Sequence, residues 1–195
     1  KGRPNDNPLI VHIAGIEDVA PLVAQIPPKA RLVMEHFWPG PISIILKKSD
    51  KIGDAVSAGL DTVAIRMPSH PVALAVLKAA GVPVAAPSAN TSGKPSPTSA
   101  RHVCDDMDGK IDMIVDGGRC GVGVESTVLT LATPVPRLLR PGGVTLSQLR
   151  QVLGQVEVDP AVLHQMEAGQ KAASPGMKYK HYSPAADVVI VDASP

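Results

Sequence analysis

Short runs of aliphatic and β-branched residues alternate along this chain with stretches whose apolar positions recur every three or four residues. That alternation predicts an α/β fold. Six runs read as strands: residues 8–13 (PLIVHI), 42–48 (ISIILKK), 62–67 (TVAIRM), 82–86 (VPVAA), 113–116 (MIVD) and 126–131 (STVLTL). Between them, Pro27 and Pro28 precede Ala30, Val33, Met34 and Phe37, which fall on one helical face. Ser69 is placed to cap a second helix that Gly81 stops. Ala100, Val103, Cys104 and Met107 form another stripe, ending near Gly109. Thr145 and Gln148 have capping-box spacing and open a helix through Leu149, Val152 and Leu153 to Gly154. Asp159-Pro160 marks one more helix start. After Gly169 the periodicity stops. Residues 170–184 (QKAASPGMKYKHYSP) have the composition of a linker or lid. Residues 187–192 (DVVIVD) read as a buried strand, either the last of the first sheet or the first of a further domain.

Composition narrows the possibilities. At 44% hydrophobic and 19% charged residues, the 195-residue chain can bury a core. Aromatics are only 2%, so that core is aliphatic, and a base-stacking platform for single-stranded nucleic acid is disfavoured. Net charge is +1, without the basic excess of a phosphate-tracking protein. Stable nucleic-acid binding is therefore not expected. No apolar run has membrane-span length. Cys104 and Cys120 are the only cysteines and form no CxxC or zinc spacing, which fits a reducing, cytoplasmic setting. No protein metal site is expected.

Several segments carry candidate chemistry. Lys1, Arg3 and Asn7 precede the first strand, and could grip a phosphate or form a solvated basic turn. Within TVAIRM, alternation puts Val63, Ile65 and Met67 on one face and Thr62, Ala64 and Arg66 on the other. A guanidinium inside an apolar strand needs an anion, supplied by an internal carboxylate or by a ligand. Residues 85–98 (AAPSANTSGKPSPT) follow a strand and are rich in hydroxyls and amides, with Ser88, Asn90 and Ser96 where open α/β sheets bind ligands. Residues 117–126 (GGRCGVGVES) are glycine-rich but match neither a Walker loop nor a dinucleotide fingerprint. Ser126 opens the next strand and can face the same site as Arg66. Arg140 ends a short strand in RLLRPGG. Among the histidines, His12 at a strand end and His181 in the linker stand out.

Taken in order, KGRPNDNPLIVH, FWPGPISIIL, TVAIRMPSHP, APSANTSGKPSPT, VDGG, GVESTV and LLRPGG resemble the YrdC-type threonylcarbamoyl-AMP synthase family. SPGMKYKHYSP resembles the lid segment of its two-domain branch. The resemblance implies a twisted mixed sheet with flanking helices. It implies a catalytic domain over residues 1–169 that lacks its N-terminal portion, a linker or lid over 170–185, and the first strand of a Rossmann-like domain over 186–195. It implies that L-threonine, bicarbonate and ATP, with magnesium, give threonylcarbamoyl-adenylate and pyrophosphate, for a downstream tRNA threonylcarbamoyl transferase complex. By motif match, Lys1, Arg3, Asn7, Thr62, Ser88, Asn90, Ser96, Arg140 and Tyr182 belong to the ATP site, with Lys1, Arg3, Ser88 and Asn90 as its catalytic set. His12, Arg66, Ala86 and Ser126 belong to the threonine pocket. Lys178, Tyr179, His181 and Tyr182 belong to the lid. A related carbamoyl-adenylate enzyme and an RNA-binding module are the rival readings, and the near-neutral charge disfavours the second.

Overall fold

The computed structural model describes residues 1–163. Seven strands form one mixed sheet: β1 (Ile10–His12), β2 (Ile42–Lys47), β3 (Thr62–Arg66), β4 (Val84–Ala86), β5 (Thr127–Thr130), β6 (Arg137–Arg140) and β7 (Glu157–Val158). Their order is β4-β1-β3-β2-β5-β6-β7. The pairs β1–β3, β2–β5 and β6–β7 are parallel, and the others are antiparallel. Helices α1 (Pro28–Phe37), α2 (Asp54–Ser57), α3 (Pro71–Ala80), α4 (Ala100–Met107), α5 (Leu146–Leu153) and α6 (Pro160–Leu163) connect them, with a 3-10 turn at Ile16–Leu22.

Strand register divides the sheet into two chemically different faces. Val11, Ile44, Ile65, Leu129 and Leu138 are aligned across neighbouring strands and share one face. It is covered by Ala30, Val33 and Met34 of α1 and by Leu149 of α5. Apart from Ala30, each of these buried aliphatic side chains contributes about 1.5–3 kcal/mol. The opposite face has a small apolar patch of Ile45, Ala64, Val128 and Leu139, with Ile10 against it. Beside that patch the same face carries His12, Ser43 and Arg66, since His12 is register partner to Arg66 and Ser43 to Val128.

Between Val128 and Leu129 the β5–β6 register slips by one residue. Leu138 pairs with Leu129, but Arg140 pairs with Val128. Unbroken alternation would set Arg140 against Thr127 and turn it into the helix-covered core. The bulge instead brings it to the face that carries Ser43 and Arg66.

The observed elements correct four expectations. Residues 113–116 form no strand. They lie in a loop where Met113 is 77% exposed and no neighbouring strand takes up their backbone bonds. The cap of α3 is His70, whose Nδ1 accepts from the Val72 amide at 3.3 Å, because Pro71 begins the helix one residue later than a Ser69 cap requires. α4 buries Asp106 and Met107, while Cys104 is exposed. Several strands are also shorter than their apolar runs, since the ladder ends where a partner does. The Gly81 stop, at φ 65, and the Thr145–Gln148 capping box stand as expected. The boundary expected near residue 169, the lid and the strand at 187–192 lie outside the described residues.

Candidate anion and nucleotide site

The N-terminal segment and the loop after β4 are tied together. Lys1 Nζ donates to the Ser88 carbonyl at 2.6 Å and to the Asn90 carbonyl. Asn90 is buried, and its amide donates to the Thr91 and Lys94 carbonyls at 2.8 Å each. This knot is anchored from α4. Asp106, 9% exposed, accepts from the Thr91 amide at 3.0 Å and from Lys94 Nζ at 2.5 Å. Arg3 donates to the Asn7 and Pro8 carbonyls at 3.3 and 2.6 Å. Asn7 is 8% exposed, yet its Oδ1 has no hydrogen-bond partner among the described residues. Lys1, Arg3, Asn7, Ser88, Asn90 and Ser96 line a cavity of about 290 Å³. Lys94, Ser96 and Glu125 also line a larger one, of about 970 Å³, which reaches Arg140.

Glu125 stands at the junction. It accepts from Ser96 Oγ at 2.9 Å and pairs with Arg140 Nη1 at 2.6 Å. Arg140 also donates to the Ser126 carbonyl, at 2.9 and 3.1 Å, and to Ser126 Oγ at 3.1 Å. Ser126 Oγ lies 2.9 Å from Ser43 Oγ. Arg66 Nε donates to the Gly40 carbonyl at 3.3 Å. A Cβ at residue 40 would sit 2.2 Å from the Phe37 carbonyl oxygen, so glycine is needed where this carbonyl is presented. Arg66 forms no ion pair among the described residues. Among the described residues, no carboxylate takes the place that its strand position could have used.

Charge in this region is unbalanced. Burial, then the neighbouring Arg140, pushes the Arg66 guanidinium below its ordinary range. Burial also pushes Lys1 and Arg3 down, and Arg3 adds to the effect on Lys1. Burial, then Arg66, holds the His12 imidazole below its usual 6.5, and its Nδ1 has no hydrogen-bond partner among the described residues. Glu125 and Asp106 offset part of this for Lys1, and Glu125 for Arg3, while an anion brought from outside would stabilise all of these partly desolvated cations.

The His12 shift has a measurable consequence. The folded chain resists protonating this ring, so the unfolded chain binds more protons as pH falls through 6.5 towards the lower folded value. Stability contributed by neutral His12 is present above that window and declines within it. The melting temperature of the ligand-free protein is expected to fall more between about pH 7.5 and 5.5 than that of His12→Asn. Equal slopes in thermal unfolding would exclude His12 as the cause.

Of the residues expected from sequence, Lys1, Arg3, Asn7, Ser88, Asn90 and Ser96 meet in the smaller cavity. His12, Arg66 and Ser126 meet on the sheet face, joined to the cavity walls through Arg140. Ala86 lies on that face too, as the register partner of Ile10. Thr62 lies on the same face of β3 as Arg66, at the other end of the strand. It pairs with Lys47 at the start of β3, four residues from Arg66, or about 13 Å at ~3.3 Å per strand residue. Lys178, Tyr179, His181 and Tyr182 lie outside the described residues. Ser43, Glu125 and Asp106 were not anticipated. Ser43 had one signal, as the single polar side chain within ISIIL.

The fold and this arrangement define an α/β domain with a site of cations and hydroxyls at one face of its sheet. The chain belongs to the Sua5/YciO/YrdC family, whose model, described as telomere recombination, matches residues 1–142. A second model, described as the threonylcarbamoyl-AMP synthase C-terminal domain, matches residues 144–195 and so takes in α5 and β7, which pack with the first sheet. The chain is 55% identical over 196 residues to the threonylcarbamoyl-AMP synthase of Bacillus subtilis, covering 100% of this chain and 56% of that protein. It is 50% identical to that of Pyrococcus abyssi, covering 98% and 56%. It thus spans about half the length of these curated relatives. The crystal structure of P. abyssi Sua5 complexed with L-threonine superposes with a TM-score of 0.92 at 50% identity, covering 96% of this chain and 54% of that one. E. coli YciO, at 22% identity and a TM-score of 0.63, shares the fold.

Proposed function

We propose that this chain is the nucleotide- and threonine-binding part of a threonylcarbamoyl-AMP synthase, a nucleotidyltransferase. L-Threonine and bicarbonate condense with loss of water to N-carboxythreonine. A carbamate oxygen then bonds to the α-phosphorus of ATP, the bond from that phosphorus to the β-phosphate bridge breaks, and pyrophosphate leaves. The observation that carries the proposal is Arg66, a guanidinium on the sheet face, beside Arg140 and without a described carboxylate of its own. Two anions that repel each other must meet in this reaction, and fixed cations offset that repulsion. In this reading Lys1 and Arg3 receive phosphates, and Arg66 the amino-acid carboxylate. The relatives named above bear the same activity in their names, and the P. abyssi structure holds L-threonine.

Among the described residues, no group of three or more His, Cys, Asp or Glu side chains is placed to hold a metal ion. In this reading magnesium enters as a companion of ATP, held by phosphates and water. The product would pass to a transferase complex acting on tRNA, in the cytoplasm, without stable nucleic-acid binding by this chain. Among the described residues no helix is long and apolar enough to cross a membrane. The test is pyrophosphate release from ATP by the full-length protein. Release is expected to require both threonine and bicarbonate; release that ignores threonine would rule the substrate out.

A further inference from the structure

Ser43 is the one polar side chain in the apolar run 42–46, and it is 0% exposed. A hydroxyl placed there without a partner would be costly, so its contact with Ser126 calls for a direction. The 2.9 Å separation between the two Oγ atoms is compatible with either as donor. Arg140 decides the matter. A guanidinium only donates, so its 3.1 Å contact takes one lone pair of Ser126 Oγ. If Ser126 donated to Ser43, the Ser43 hydrogen would be buried with no described acceptor. If Ser43 donates instead, the O–H left without a described acceptor is that of Ser126, 4% exposed beside Arg140, and not that of Ser43, which is 0% exposed. Ser126 then accepts twice, from Arg140 and Ser43, and its own O–H is the one capacity left over.

We infer that Ser43 is a positioning residue: by donating to Ser126 it commits the Ser126 hydroxyl to donate to an anionic ligand oxygen on the face shared with Arg66 and Arg140. This rests on the functional reading above, in which that oxygen belongs to the threonine moiety. The hidden serine thereby biases the site towards an acceptor and against a ligand group that donates.

Steady-state pyrophosphate release by the full-length enzyme tests this through a double-mutant cycle. Ser43→Ala and Ser126→Ala are each expected to raise the threonine KM about tenfold, with the ATP KM within about twofold. The double variant is expected to match Ser126→Ala alone, because Ser43 acts through Ser126. Ser43→Thr, which keeps a hydroxyl on a strand-favouring residue, is expected to stay within about twofold of wild type. Ser43→Cys, a weak donor of similar shape, replaces alanine should the latter unfold the strand. Multiplying effects in the double variant, equal rises in both KM values, or an alanine-like Ser43→Thr would each overturn the role of Ser43. A wild-type enzyme indifferent to threonine would overturn the functional reading and this inference together.

Discussion

Replacing Arg66 with alanine is expected to raise the threonine concentration for half-maximal pyrophosphate release about 100-fold, while the ATP requirement moves about twofold. The size follows from the loss of a charge-assisted, partly desolvated pair, worth about 3 kcal/mol. The asymmetry follows from position. Arg66 is on β3 beside His12, whereas Lys1, Arg3 and Asn7 line the smaller cavity that would receive phosphates. Folding should not suffer in parallel. In the ligand-free protein Arg66 is penalised by burial and by Arg140, so its removal leaves the melting temperature unchanged or slightly raised. Kinetics that lose ATP and threonine alike, or a variant that melts much earlier, would count against the assignment of Arg66 to the amino-acid carboxylate.

Gly142→Ala is expected to destabilise the domain by about 3 kcal/mol through backbone overpacking. A Cβ at residue 142 would sit 2.3 Å from the Thr127 amide nitrogen and 2.4 Å from the Glu125 carbonyl oxygen. Neither atom can turn aside as a side chain can. The Thr127 amide donates to the Pro41 carbonyl at 2.9 Å, and the Thr127 hydroxyl bridges both backbone groups of Val144. The push would also separate Arg140 from Ser126, so threonine affinity should fall with stability. Gly121→Ala provides the control, because nothing lies within 4 Å of its added methyl and its φ is not in the left-handed region. It should stay within about 0.5 kcal/mol in denaturant unfolding. Matching midpoints for the two variants would refute the account of the turn.

Period-two alternation was enough to place Arg66 opposite Val63 and Ile65, because both neighbours of β3 keep continuous register with it. Glycine chemistry and capping chemistry are local, so the end of α3 and the start of α5 could be read from a few residues each. What escaped depended on partners distant in sequence. An apolar tetrad such as residues 113–116 is a strand only when another strand receives it. Asp106 carries no mark in the sequence, because its partners Thr91 and Lys94 come from the loop before α4. Thr62 shares a face with Arg66 at the other end of β3, where it is register partner to Lys47. The motif order located the loops, but the coupling of Glu125 to both Ser96 and Arg140 required the sheet.

The slipped register between β5 and β6 means that the pocket is specified partly by counting. Which side of the sheet receives Arg140 depends on how many residues separate it from Leu138, as much as on its being arginine. A one-residue insertion there, with the slip kept, would preserve nearly all the chemistry of the chain and yet set the guanidinium against Thr127, on the side of the aliphatic interior. For this domain, an insertion within β6 is therefore a graver event than most exchanges of one side chain for another.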